Sequence, residues 1–360
     1  MGVLVRSLVA IAWMLTAPAL AEQTDRAFPG EVTIVVGFAP GGGDEGGVSS
    51  RGAASRLQPQ PGYDQTARLY ARHLGSFLPG QPRVLLRHLP GAASMKAAGL
   101  IAREAPADGS VLGVVSSAAL LAPLLGNPGA DYKLQELSFI GARSADEYVC
   151  AADGEAGIET AADLARPGLA VGSAAPGRRP YIHASLLKDV TAAPLRIVSG
   201  YRDANEMLLA LRRNEVSVLC GLSLEVFRTS LSAWLSTGRL KPLMRVSPPW
   251  LERLSAVPRA QEMAGQAGLG ALIPGLDWMA MEGALAWTLT APARLPAERL
   301  SVLREAFAAM QADRDYRREA ARRNLDIMPV APTRLEEAAA ELIAAPPPVL
   351  DIVKKLSAAP

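Results

Sequence analysis

Strand-like and helix-like patterns alternate along most of this chain, with no internal repeat, and that alternation restricts it to the α/β folds. "EVTIVVGF" is a β-rich run that ends in Pro40 and three glycines. From Gln65 onward, Ala67, Tyr70, Ala71, Leu74, Phe77 and Leu78 recur at intervals of three and four, which is one face of a helix. "PRVLLRHL" reads as a second strand, "SMKAAGLIAREA" as a helix closed by Pro106, and "SVLGVVSS" as a third strand. One βαβαβ half therefore lies between residues 31 and 117. A second series follows in "FIGARSADEYVCAA", "GLAVGSA", "LRIVSGY" and "EVSVLCG", with helical patterns between them. "RLKPLMRV" and "MEGALAWTLTAP" then read as strands returning to the first body. After Pro296, Leu300, Leu303, Phe307 and Met310 mark an amphipathic helix, and Thr333 with Glu336 forms a capping box that opens a last helix. A chain of 360 residues, 49% of them hydrophobic, has enough apolar material for two such bodies. The expected architecture is a hinged two-lobed protein, each lobe a βαβ-type mixed sheet flanked by helices.

The first 21 residues read as a secretory signal: Arg6 is the positive region, "SLVAIAWMLTAPAL" the apolar region, and Ala19-Leu20-Ala21 the small-residue cleavage pattern. Pro18 interrupts an apolar run that is already short for a spanning helix. The mature chain is expected to begin near Glu22, in the periplasm. A formal net charge of +2 without a basic stripe argues against nucleic acid as a partner. His73, His88 and His183 are the only histidines, and none pairs with a cysteine at metal-ligand spacing, so neither a metal nor another cofactor is expected. Cys150 and Cys220 are the only cysteines; an oxidising compartment permits a bridge between them, and their strand-like settings suit buried free thiols equally well.

Two glycine-rich turns stand out as candidate sites. "FAPGGG" follows a strand but lacks the Gly-Lys-Ser/Thr ending of a phosphate loop and the spacing of a dinucleotide fingerprint. What remains is a turn of backbone N–H groups before a helix, which favours a carboxylate as well as a phosphate. "LAVGSAAPGRRPYIHASLL" repeats the theme, with Pro180 near the first helical position and Arg178 and Arg179 where the helix begins. Two guanidinium groups there suit a di- or tricarboxylate held by bidentate hydrogen bonds, and a solvated loop with outward arginines is the plain alternative. Asp64, one residue before the expected helix, reads as its N-cap. No Ser-His-Asp order and no paired catalytic carboxylates point to an enzyme.

In order, "VTIVVGFAPGGG", "YDQTARLYARHLGSFLPGQPRVLLRHLPGAASMKAAGLIAREAPADGSVLG", "FIGARSADEYVC", "AADLARPGLAVGSAAPG", "RIVSGYRDANEMLLALRRNEVSVLCG", "RLKPLMRV" and "LTAPARLPAERLSVLREAF" resemble the tripartite tricarboxylate transporter substrate-binding receptors, the Bug family. The resemblance runs to about residue 345. It implies a periplasmic, two-lobed, Venus-flytrap-like binding protein, monomeric, that captures a small organic acid for the membrane permease subunits of a tripartite transporter. Presentation of the ligand to a membrane sensor is the alternative. It places the first ligand loop at Phe38, Ala39, Pro40, Gly41, Gly42 and Gly43, with Asp64 and Arg68 as its acidic and basic partners. The second loop falls at Gly172, Ser173, Ala174, Ala175, Pro176 and Gly177, beside Arg178 and Arg179, where the family tends to have Ser, Thr or Asp. Tyr201 matches a family tyrosine. The expected lobes are 22–138 with 238–327, and 139–237 with 328–360. Removing residues 44–62, "DEGGVSSRGAASRLQPQPG", restores an ordinary family text, so this stretch reads as an insertion in the first ligand loop: a disordered lid, an impairment of the site, or an artefact of the gene's reading frame.

Overall fold

The computed structural model describes residues 28–41 and 62–358. The expected signal segment, Gly42, Gly43 and residues 44–61 of the expected insertion lie outside them. Glu31–Val36 (β1) buries Val32, Ile34, Val35 and Val36, on both of its faces, as a continuous apolar run should when a parallel strand is covered on two sides. It pairs in parallel with Arg83–His88 (β2), from Glu31↔Arg83 to Val36↔His88, and on its other edge with Val111–Val114 (β3). Helix Tyr63–His73 (α1) makes the first crossover. Met95–Gly99 (α2), extended by a π turn over Leu100–Glu104, makes the second. Ser117–Leu121 (α3) follows β3, and the Ser116 hydroxyl caps it by accepting from Ala119 N at 3.1 Å. The chain then adds Leu137–Ala142 (β4) and leaves this sheet.

The second sheet comprises Tyr148–Asp153 (β5), Ala170–Gly172 (β6), Arg196–Val198 (β7), Val218–Ser223 (β8) and Leu240–Val246 (β9), in the order β7-β6-β8-β5-β9. Helices Arg179–Thr191 (α4) and Ala204–Arg212 (α5) connect β6, β7 and β8, and Leu224–Ser230 (α6) and Ser232–Ser236 (α7) lead to β9. Ala260–Gln266 (α8) and Ile273–Ala280 (α9) carry the chain back to Thr288–Pro292 (β10). That strand inserts antiparallel between β3 and β4 and completes the first sheet as β2-β1-β3-β10-β4. Ala297–Ala312 (α10), Arg314–Arg322 (α11), Pro332–Ile343 (α12) and Pro347–Ser357 (α13) close the fold.

Two expectations about strand placement are corrected. "RLKPLMRV" does not return to the first body: as β9 it pairs antiparallel with β5, from Tyr148↔Val246 to Asp153↔Leu240. "FIGARSADEYVCAA" is not one run but two strands in different sheets, β4 and β5, joined by a buried crossing over residues 143–147. Helix ends differ too. The N-cap of α1 is Gly62, so the helix starts two residues before Gln65 and Asp64 lies inside its first turn. The N-cap of α12 is Ala331, no Thr333–Glu336 capping box forms, Glu336 pairs instead with Arg304, and a further helix follows.

One apolar cluster packs α1, α10 and α11 on the first sheet through Leu69, Leu112, Phe307 and Tyr316. Another packs α5 and α6 on the second through Met207, Leu208 and Phe227. The third runs from Val35 and Phe139 of the first sheet to Leu187 and Cys220 of the second lobe, so the two bodies share buried apolar surface. Cys150 and Cys220 are bridged, joining β5 to β8 where their register shifts between Val149 and Ala151. A bridge closing 70 residues constrains the unfolded chain by about 4 kcal/mol in the loop-entropy model. The double variant Cys150→Ala/Cys220→Ala should lose stability on that scale in urea unfolding; equal midpoints for variant and parent would show that the bridge contributes nothing.

Candidate functional site

In open α/β sheets ligands bind beyond the carboxyl ends of the strands, where strand order reverses. Each sheet here has one such point. β1 lies between β2 and β3, and β6 lies between β7 and β8. The loops after β1, β3, β6 and β8 are therefore the ones topology aims at a ligand, and two of them are the glycine-rich turns singled out in the sequence.

On the first side, Gly37 opens the loop after β1. A side chain there would meet the Ser94 hydroxyl at 1.8 Å, so only glycine lets the loop after β2 come this close. That neighbouring loop holds Ala92, Ala93 and Ser94 at φ values of 49°, 50° and 78°, three consecutive left-handed residues. Non-glycine residues there cost roughly 1–2 kcal/mol each, and such strain gathers at functional sites. Ser94 Oγ accepts from Ser116 N at 3.3 Å, while the Ser116 hydroxyl donates to Ala93 O at 2.9 Å, tying the strained turn to the loop after β3. Phe38 stacks on Tyr63 with ring centres 5.2 Å apart, and Tyr63 packs on Trp287 at 4.7 Å. Pro40 and Gly41 are exposed, and Ala39 before them is half-buried.

Asp64 is buried and fully engaged. Its carboxylate accepts from Gly41 N at 2.7 Å, from Arg68 Nε at 3.0 Å and faces His88 Nε2 at 2.7 Å. Burial pushes the carboxyl up, but the donors from His88, Gly41 and Arg68 outweigh it and hold it below its usual range. It fastens the first loop at Gly41 to α1 and β2, so the cap role read from the sequence is replaced by that of an anchor.

On the second side, Ser173 N donates to Val198 O at 2.9 Å, and Tyr201 N donates to Ser173 O at 3.3 Å. Gly172, Ser173 and Ala174 are buried, and Tyr201 lies against Gly172. Gly177 has φ 79°, turning the chain into α4 with Arg178 as N-cap and Pro180 in the first turn. Gly221 of β8, at φ 70°, lets that helix start sit on the sheet: a Cβ would lie 2.7 Å from Pro180 Cα. The two arginines part here. Arg178 is exposed. The Arg179 guanidinium turns inward, stacks 3.8 Å over the Tyr148 ring and donates to Glu282 Oε1 at 2.9 Å. Glu282 also accepts from the Ser117 hydroxyl at 3.3 Å, and Ser117 N donates to Tyr63 Oη at 3.1 Å. Loops of both lobes thus converge on Ser117, Tyr63, Tyr148, Arg179 and Glu282.

Sequence reasoning missed most of that set and all of the crossing beneath it. Arg143 is fully buried and donates two parallel hydrogen bonds to Glu225, at 2.9 and 2.8 Å, where α6 begins after β8. It also donates to Thr66 Oγ1 at 3.0 Å and Asp326 O at 2.9 Å, and lies 4.3 Å over Trp287. Glu147 faces Arg245 and Arg253 at 3.6 and 3.7 Å. Burial pushes the Asp146 carboxyl up to about 7, and Glu225 adds to the rise against Arg253 and Arg143. Burial pushes His183 down to about 3, leaving it neutral under Tyr148. The signal that could have found the crossing is "RSADE", a charged run set between two apolar strands.

This architecture is that of the two-lobed periplasmic binding proteins. The chain is similar to a TctC solute-binding protein from Polaromonas, with TM-score 0.61 and 16% identity over 90% of this chain and 98% of that one. It is similar to the periplasmic binding protein BugD, with TM-score 0.56 and 16% identity over 91% and 98%. It is also similar to MatC from Rhodopseudomonas palustris with bound malate, with TM-score 0.55 and 19% identity over 90% and 98%. At these identities the fold is what is shared, and it is the fold that the sequence resemblance implied. No protein-family model and no curated protein matches the chain.

Removing one partner of a buried ion pair leaves the other charge uncompensated, at a cost of about 3–5 kcal/mol. Glu225→Gln should therefore destabilise on that scale, whereas Arg143→Met with Glu225→Leu should cost less than the two single changes summed. A double-mutant cycle in urea reads this; additive costs would show that the two residues are not coupled. For Asp146 the folded carboxyl lies above its unfolded value of about 3.9. Its contribution is then complete below about pH 4 and is lost as pH rises toward 7. Asp146→Asn should gain on the parent across that window, with a slope approaching about 1.4 kcal/mol per pH unit, and a flat difference between pH 4 and 7 would contradict it.

Proposed function

We propose that this chain is an extracytoplasmic solute receptor for a small carboxylated metabolite, working in the periplasm with the permease subunits of a tripartite transporter and making or breaking no bond. The observation that carries the reading is Arg179. It stands at the start of a thirteen-residue helix, at the reversal point of the second sheet, and already holds a carboxylate, that of Glu282. A ligand carboxylate has the same chemistry, and Ser117 and Tyr63 of the facing lobe supply the opposite wall. Ligand capture is then an exchange in which the incoming acid takes the place of Glu282 on the guanidinium. The malate bound by MatC is a ligand of the class this arrangement suits. The first loop contributes through Phe38 and the backbone up to Gly41, held by Asp64. Because each lobe supplies a share of the contacts, affinity depends on their difference between open and closed states.

Isothermal titration with malate, citrate and benzoate tests the reading. Glu282→Gln should tighten binding of the preferred acid by about tenfold, the scale of one charge-assisted hydrogen bond freed from an internal competitor, and Arg179→Gln should abolish it. A chain lacking residues 44–62 keeps a glycine before Tyr63, and it should bind the same acid. Carboxylate binding that ignores both Arg179→Gln and Glu282→Gln would move the site elsewhere; failure of every acid with the parent, with Glu282→Gln and with the shortened chain would end the carboxylate reading.

A further inference from the structure

We infer a second small-molecule site in the cavity between α8, α9, α12 and α13, lined by none of the four ligand-facing loops, although Met281 on its wall adjoins Glu282 of the main site. It is a half-open pocket of about 250 Å³, below the roughly 300–1,000 Å³ of drug-sized ligand sites, so it suits a small molecule. Its apolar wall includes Trp278 and Met281, both buried, and its charged groups are Arg259, Asp277 and Glu341. The decisive residue is Gln261, only 6% exposed and on the cavity wall. Its Nε2 donates to Asp277 Oδ1 at 3.0 Å and points toward Leu276 O at 3.5 Å. Both are acceptors, so the amide cannot be turned round, and Oε1 is the atom left without a donor among the described residues. A buried amide oxygen without a partner is costly, and a ligand N–H removes that cost.

The charges choose among donors. Asp277 and Glu341 are carboxylates, while the one cation, Arg259, has Glu262 beside its Nε at 3.7 Å. The balance on the wall is negative, so the site takes a small primary ammonium with an apolar body: the ammonium on Gln261 Oε1 and the carboxylates, the body on Trp278 and Met281. This chemistry is opposite in charge to the acid proposed for the main site, and the two occupants do not compete.

Benzylammonium is the probe, with benzoate and benzyl alcohol as matched comparators, read by titration calorimetry and by ligand-detected NMR on the full mature chain. Benzylammonium should bind at one saturable site, both comparators at least about tenfold more weakly, as the loss of a charge-assisted hydrogen bond requires. Gln261→Leu, which removes the acceptor, and Ala345→Phe, which fills the cavity, should each weaken benzylammonium at least about tenfold while still melting cooperatively. Saturating malate should leave the benzylammonium affinity unchanged. Benzoate binding as tightly as benzylammonium overturns the inference, as does full affinity in either variant or competition with malate. Absence of binding by all three probes overturns it as well, since water alone then satisfies Gln261. Should Ala345→Phe fail to fold, Gln261→Leu decides alone.

Discussion

The ion pair between Arg143 and Glu225 is the constraint around which the two lobes are arranged. A guanidinium excluded from water is tolerable only when its donors are met, and Arg143 meets them with groups from distant parts of the chain: Thr66 on α1, Glu225 at the head of α6 and the carbonyl of Asp326. Glu225 in turn accepts from Asp326 N at 2.7 Å. A single buried charge thus fixes the first helix, the loop after β8 and the late return of the chain relative to one another. Trp287, lying over the same guanidinium, extends the grip through Tyr63 to Phe38, so the first ligand loop is referenced to the crossing by stacked rings.

Much of the fold was legible because its signals are local. The βαβαβ half from β1 to β3 follows from apolar periodicity, and the glycine turns after β1 and β6 announced themselves by composition. Strand membership was less legible. β9 carries no mark that distinguishes a partner of β5 from a partner of β3, and its antiparallel pairing with β5 spans about ninety residues of chain. Asp64 was misread as a cap because Gly62 has no side chain to advertise itself, and α1 starts with the backbone alone. The site was half legible. Arg179 was visible at a helix start, but its partner Glu282 lies 103 residues away in a stretch with no motif, and only topology brings them together.

The geometry also separates two duties that the sequence left mixed. Arg178 and Arg179 are adjacent in text, yet one is solvated while the other is held between an aromatic ring and a carboxylate. Desolvation makes the second the stronger electrostatic partner, and its neutralisation by Glu282 is what allows it to be buried between lobes at all. Opposite it, the left-handed turn at Ala92–Ser94 holds Ser116 and Gly37 in place at the expense of local strain, so neither wall depends on loop packing alone.

The position of β10 has a consequence for how the molecule comes into being. Its neighbours β3 and β4 end at Val114 and Ala142, but the strand that joins them starts only at Thr288. Until that segment is available, the first sheet has two unsatisfied edges facing each other across a strand-wide gap, while the second sheet already has all five of its strands. The sheet begun first is therefore closed last. Such long-range closure makes for slow assembly and a prolonged exposure of sheet edges, so a newly made chain has most to gain from being shielded before β10 arrives.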